Sequence, residues 1–323
     1  MKRKTVEYGK YGYIFIAPFF LVFLIFQLYP LLYTFYLSFV NYRMSGGEWC
    51  EPTFCGFDNF MNVLTKKDLR AGGVVWIDTL PMNSIKNTAV MWAVNFIPQI
   101  VLSLLLAAWF TDTVHKLKGQ GAYKVLMFLP NIITASSISI LFSNLFGNNG
   151  PVTILLKDLH IIDQDYLFLE SKPGTVGLIA FMNFWMWYGN TMVVLIAGIL
   201  GISPSLYEAA MVDGASSKQQ FFKITMPLLK PILQFSLVTS AIGGLQMYDI
   251  PALFNVAASI GRPDRISHTV TMTIREYAFA QNPDYGKAAA LSVILFMCTL
   301  AISLVFFAFT RDREPKQKHA VIN

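Results

Sequence analysis

The stretch Tyr13–Phe35 reads YIFIAPFFLVFLIFQLYPLLYTF and holds no Asp, Glu, Lys or Arg. A helix crossing the hydrocarbon core of a bilayer needs roughly 20 consecutive apolar residues, and this run supplies them. It is apolar all round, so it is not the one-sided surface helix of a soluble protein, and it is far too long for a strand. Five more runs of this kind follow: Thr88–Phe110, Val125–Phe146, Val176–Leu200, Pro231–Phe254 and Ala288–Thr310. Only the fifth of the six carries a charge, Asp249. The expected fold is therefore all-α, a polytopic membrane protein with six transmembrane helices. The first run is too long for the apolar core of a secretory signal and has no small-residue cleavage site, so it is expected to be retained.

Composition agrees. Hydrophobic residues make up 54% of the 323-residue chain and charged residues only 14%, against about 25% charged in a typical soluble domain. The net charge of +6 does not point to nucleic acid, because it is sorted by loop. With the N-terminus placed inside, fourteen Lys and Arg fall on inner segments and eleven on outer ones. The inner set includes Lys2, Arg3, Lys4, Lys116, Lys118, Lys124, Lys218 and Lys223. The excess of inner cations favours both termini in the cytoplasm. The chain then divides into a first helix with its outer loop (1–82), a core of five helices (83–310) holding an inner loop (201–230), and a cytoplasmic tail (311–323).

Turn signals mark the first outer segment at Gly46-Gly47 and Gly72-Gly73. Short helices are expected over Leu155–Ile162 and Val270–Ala280. Cys50 and Cys55 lie in the first outer loop, where they could form a disulfide or stay as two thiols; Cys298 reads as inert packing. Pro18, Pro30, Pro98, Pro130 and Pro251 fall within the apolar runs, and each is expected to bend its helix.

Several chemistries have no basis in these residues. There is no GxxxxGK[ST] loop for ATP, no HExxH, and no clustering of the four histidines for a metal. A membrane-embedded glycosyltransferase would need paired carboxylates or a metal set, and neither is present. An ion-coupled carrier would place ionisable relays within the membrane, where only Asp249 qualifies. The chain is thus expected to have no enzymatic activity, no cofactor of its own, and an energy source on another chain.

The inner loop is the most informative. Residues Glu208–Pro231 read EAAMVDGASSKQQFFKITMPLLKP. Ser203-Pro204-Ser205 offers a helix start, Gly214 a stop, and Ser217–Lys223 a second short helix leading into the fifth run. The result is a helix–turn–helix knob whose Phe221 and Phe222 call for a partner surface. This segment resembles the EAA motif of binding-protein-dependent ABC importer permeases, through Glu208-Ala209-Ala210, Asp213-Gly214-Ala215, Phe222, Ile224 and Pro227; Met226 stands where leucine is usual. Tyr29-Pro30, Ser38-Phe39, Gly56-Phe57-Asp58-Asn59-Phe60 and Tyr285–Leu291 extend the likeness to the larger subunit of maltose-type sugar permeases.

That resemblance implies a type I ABC importer permease fold in the plasma (inner) membrane of a bacterium or archaeon. It implies a second permease subunit, a pair of ATPase subunits that bind the ATP, an extracellular solute-binding protein and a sugar as cargo. Glu208, Ala209, Ala210, Asp213 and Gly214 would form the coupling helix docked on an ATPase; Glu208 can equally be read as a helix-start carboxylate. For the substrate, Asn183, Trp187 and Asn190 fall at i, i+4, i+7 on one helix face, and Thr239, Gly243 and Gln246 repeat that spacing. Amides beside an aromatic plate suit sugar hydroxyls and C–H faces, and helix–helix bonding is the other use of such residues. Asp249 could bond substrate or reach the outer water. A non-sugar solute (peptide, amino acid or polyol phosphate) remains the alternative cargo.

Overall fold

The computed structural model describes residues 9–68, 73–75, 79–112, 118–254 and 264–310. Lys2, Arg3, Lys4, Lys116, Gly72 and the tail after Thr310 lie outside the described residues. In chain order the helices are α1 (Gly9–Phe23), α2 (Tyr29–Ser38), α3 (Asp58–Leu64), α4 (Leu80–Thr111), α5 (Gln120–Phe128), α6 (Ala135–Leu145), α7 (Pro151–Asp158) and α8 (Lys172–Leu200). They continue as α9 (Pro204–Val212), α10 (Ser217–Gln220), α11 (Met226–Leu245), α12 (Asp249–Phe254), α13 (Val270–Phe279) and α14 (Tyr285–Thr310). Three antiparallel ribbons of two or three residues per strand complete the set: β1 (Val40–Asn41) with β4 (Thr53–Phe54), β2 (Met44–Ser45) with β3 (Glu48–Trp49), and β5 (Lys66–Asp68) with β6 (Gly73–Val75).

Among the described residues, five helical runs are long and apolar enough to cross a membrane: Tyr11–Ser38, Leu80–Thr111, Lys172–Leu200, Ser217–Phe254, which is interrupted at 246–248, and Tyr285–Ala308. The third expected span is different. Its two halves, Gln120–Ile132 and Ala135–Leu145, meet at 87°. The cause is local. Pro130 sits in a 3-10 turn over Leu129–Ile132, Ile133 is extended, and Thr134 caps the next helix by accepting from the Ser137 N–H. Hydropathy counts apolar residues and is blind to such a corner. Residue ranges also shift: α4 starts eight residues before the expected Thr88, and the fifth run is helical from Ser217.

The other prolines act in two ways. Pro18, Pro98 and Pro231 lie inside helices, so the bend expected at Pro18 and Pro98 does not interrupt either one. Pro30 and Pro227 are each preceded by a π-helical turn, over Leu24–Leu28 and Phe221–Thr225. In both, the residue just before the proline sends its N–H five residues back, Tyr29 to the Leu24 carbonyl and Met226 to the Phe221 carbonyl. A proline cannot donate and crowds the carbonyl four residues earlier; one extra residue in the preceding turn relieves that crowding.

The residues group into two compact units, Met1–Asn83 with Thr273–Phe296, and Ser84–Met272 with Met297–Asn323. In the first, buried Asn59 on α3 donates through Nδ2 to the Ser38 and Val40 carbonyls at 3.0 and 2.9 Å, closing the end of α2. Gly286 lies against the same place, where a Cβ would come within 2.6 Å of the Val40 carbonyl. Trp49, Tyr42 and Tyr285 form a three-ring cluster, with Trp49 4.9 Å from each tyrosine ring centroid and the two tyrosines 5.7 Å apart. This packing gives Gly56–Phe60 and Tyr285–Leu291 a structural reason for their residue types. Cys50 and Cys55 are free thiols, so the disulfide alternative is not realised. Burial pushes the Cys55 thiol up, away from the reactive thiolate. Side chains from Tyr11 to Gln27 are all exposed in the isolated chain.

The second unit holds two apolar clusters. One joins Met91, Ile138, Phe142, Ile179, Met182 and Ile250; the other joins Ala107, Phe110, Met192, Leu195 and Leu229. Helix α8 contributes to both and is the central post. It is approached closely at Gly189, where a Cβ would stand 2.5 Å from the Met127 carbonyl oxygen and 2.9 Å from the Phe128 Cα. Backbone cannot rotate away as a side chain can. Gly189→Ala should therefore cost about 1–3 kcal/mol of overpacking and lower the melting temperature of the purified protein. An unchanged melting temperature would contradict this approach.

Candidate functional site

Two features of the second unit stand out, a polar cavity and an exposed knob. The cavity has a volume of about 490 Å³ and is walled by α4, α8, α11 and the start of α12. All six residues chosen by helical spacing, Asn183, Trp187 and Asn190 on α8 and Thr239, Gly243 and Gln246 on or just past α11, line it. Asn183 spends its Nδ2 on the Ile179 carbonyl at 2.9 Å, leaving its carbonyl oxygen. The Thr239 hydroxyl donates to the Phe235 carbonyl at 2.8 Å, leaving an acceptor. Trp187 is 46% exposed, with its ring available for contact. At Gly243 a Cβ would meet nothing within 4 Å, so a larger residue there would simply fill the cavity.

A third wall, from α4, was not anticipated. Trp92, Asn95 and Gln99 line the cavity at i, i+3, i+7. Asn95 and Gln99 are buried, at 6% and 7% exposure. Gln99 donates to Thr191 Oγ1 at 2.8 Å, and Thr191 donates on to the Trp187 carbonyl at 3.3 Å, which ties α4 to α8. A one-face helical spacing of polar residues, like that on α8, was present here to be read. Trp92 is held by Gly244, whose missing side chain leaves the room that the indole occupies. Two buried donors on the wall, the Trp92 indole N–H and the Ser236 hydroxyl, have no protein partner among the described residues. A buried group left unpaired costs about 1–3 kcal/mol, and both atoms are covered by the wall rather than open to the cavity. Asp249 also lines the cavity and is exposed.

The knob is built from α9 and α10. Helix α9 starts with Pro204 in its first turn; Ser203 does not cap it through its side chain but shares a hydrogen bond with the Ser205 hydroxyl at 2.8 Å. Its end is a Schellman turn. Gly214 takes φ +75° and donates to the Met211 carbonyl, while Ala215 donates to the Ala210 carbonyl. The next helix opens at once with a capping box between Ser216 and Gln219. Both sides of the turn are thus closed by hydrogen bonds. Tyr207 Oη and Thr225 Oγ1, 2.9 Å apart, tie α9 to the base of the fifth span. Glu208, Ala209, Asp213 and Gly214 are exposed on this knob and Ala210 is half-buried. Val212 is 89% exposed, and Phe222 is exposed while Phe221 stacks edge-on against it.

Comparison with known proteins places the chain. The sequence model of the family described as "Binding-protein-dependent transport system inner membrane component" matches residues 88–318. The lactose transport system permease protein LacF of Rhizobium radiobacter is 28% identical over 95% of this chain and 96% of its own length. The probable ABC transporter permease protein YesP of Bacillus subtilis is 30% identical over 92% of this chain and 89% of its own. The trehalose/maltose transport system permease protein MalF of Thermococcus litoralis is 26% identical over 95% of both. Among solved structures, a bacterial ABC transporter importing the acidic polysaccharide alginate has the same fold, with a TM-score of 0.68 at 21% identity over 93% of this chain and 94% of that one. The chain belongs to the binding-protein-dependent transport system inner membrane components, as a multi-pass ABC permease subunit and not an enzyme.

Proposed function

We propose that this chain forms one half of the translocation pathway of an importer for a sugar or small oligosaccharide. The observation that carries the cargo is the cavity, where amides and hydroxyls surround an exposed indole ring. Sugars bring hydroxyls at their rims and apolar C–H faces, which match hydrogen-bonding groups and an aromatic plate together. The relatives named for lactose and for trehalose and maltose support the same cargo class. Peptides, amino acids and polyol phosphates carry carboxylates or phosphates, for which the cavity wall offers no cation among the described residues.

A second permease subunit completes the pathway, two ATPase subunits bind the ATP, and an extracellular binding protein delivers the sugar. The last is supported by the family's dependence on binding proteins. The knob docks on an ATPase through Glu208, Ala209, Ala210, Asp213 and Gly214, the small alanines allowing close approach. Both termini and the knob face the cytoplasm. In a cysteine-free background, a cysteine placed at Lys218 should be shielded from an impermeant thiol reagent in intact cells, and one at Asp163 should be labelled. The opposite labelling would invert the topology.

Trp187→Ala and Gln246→Ala should each cut uptake by the reconstituted importer about tenfold, equivalent to roughly 1.4 kcal/mol, while the complex still assembles. Wild-type transport by both would remove the cavity from the pathway. For coupling, Gly214→Ala keeps the turn under strain, since a left-handed conformation costs a β-carbon residue roughly 1–2 kcal/mol and the surroundings are open. Gly214→Pro cannot adopt a positive φ at all and loses the bond to Met211. Substrate-stimulated ATP hydrolysis should fall partly in the first and be lost in the second, with membrane insertion intact in both. Full stimulation in Gly214→Pro would end the coupling assignment.

A further inference from the structure

The cavity has a charge character that goes beyond sugar as a class. Its described lining includes no Lys, Arg or His, and its one ionisable carboxylate is Asp249. Every other polar group on the wall is a neutral amide, hydroxyl or indole. The wall residues on α4 and α8 likewise bring no cation within the lining, so nothing there balances Asp249. Asp249 opens α12, directly after the interruption that ends α11. It carries no ion pair among the described residues, and it is exposed at the cavity surface rather than buried in the wall. A carboxylate-bearing sugar entering this space would meet one fixed negative charge and no positive one. At this exposed carboxylate such like-charge juxtaposition is unfavourable, and it discriminates through repulsion rather than through added attraction.

Resting on the sugar reading above, we propose that this permease is selective for uncharged glycans and that Asp249 is the residue that rejects uronates and other acidic sugars. The neutral donors and acceptors hold sugar hydroxyls without regard to charge, and Asp249 supplies the discrimination.

The test uses the assembled permease–ATPase complex in nanodiscs, with ATP and the binding protein withheld so that the latter's own selectivity cannot mask the result. Equilibrium dialysis measures binding of a tritiated mixture of neutral glucose and galactose disaccharides. The same mixture oxidised at C6 to uronates is the second ligand, each titrated to tens of millimolar. The wild-type complex should bind the neutral mixture and discriminate against the uronates. Asp249→Asn, which keeps the side-chain shape, should raise the uronate-to-neutral affinity ratio at least about tenfold, and the wild-type discrimination should shrink as salt rises, as a charge effect must. Size-exclusion chromatography confirms assembly of the variant. Equal or preferred uronate binding by the wild type overturns the proposal and leaves the sugar reading standing. Discrimination that survives in Asp249→Asn, or that ignores salt, removes Asp249 from the role and overturns it likewise. Binding of neither mixture takes down the sugar reading itself.

Discussion

In hydrocarbon a backbone N–H or C=O has no water to turn to, so a spanning segment must satisfy its own polar groups. That constraint forces the long helices, and it also dictates where they can be interrupted. Two interruptions occur in the second unit, between α5 and α6 and between α11 and α12, and both are repaired by side chains. At the first, Thr134 caps α6 and Asn131 Nδ2 reaches the Met186 carbonyl on α8 at 3.1 Å. At the second, the Met247 carbonyl, freed where α11 stops, accepts from Thr271 Oγ1 at 2.6 Å. Residues of both interruptions, Ala135 on one side and Gln246 to Ile250 on the other, line the polar cavity. A cavity able to hold a polar solute sits where irregular backbone is tolerated because protein, not lipid, surrounds it.

Much of this was legible in the residues. The runs without charge correspond to helices because apolar length is the property that a bilayer demands. The helix–turn–helix knob was readable because its punctuation is chemical: a proline near the first residue and a glycine where φ turns positive; the Ser216–Gln219 capping box went unread. The cavity wall on α8 and α11 was readable from helical spacing alone. Other parts were written less openly. A bend at Pro130 was expected, but the 87° corner depends on two consecutive extended residues, Ile133 and Thr134, which no hydropathy pattern marks. The α4 wall was available at the same spacing, but Asn95 and Gln99 lie in a longer helix whose other polar residues, such as Ser103 bonded to the Tyr188 carbonyl at 2.7 Å, serve packing. Composition does not separate the two uses. The cysteines illustrate the converse: an outer loop permits a disulfide, and only the loop's geometry decides.

The π-turn over Phe221–Thr225 bears on how a push on the knob could reach the cavity. Helices α10 and α11 and the turn between them form a single run beginning at Ser217 and carrying Thr239 and Gly243 into the cavity wall. From Gln220 to Gly243 that rod spans about 35 Å at roughly 1.5 Å per residue. A π-turn in such a rod is a soft place unless something braces it, and here two things do. Thr225 is buried and bonded to Tyr207 of α9, and Gln220 is buried with its amide on the Ala215 carbonyl at 3.1 Å. Helix α9 itself is joined to the rod through the doubly closed turn at Gly214–Ser216. The knob and the lower rod are therefore joined by hydrogen bonds on both sides of the π-turn, the arrangement that would let a displacement of α9 reach α11 with little bending between them. The proline that creates the soft place and the hydroxyl pair that stiffens it lie within two residues of each other, at Thr225 and Pro227. That pairing accounts for a helix break being tolerable in an element whose proposed task is to carry force.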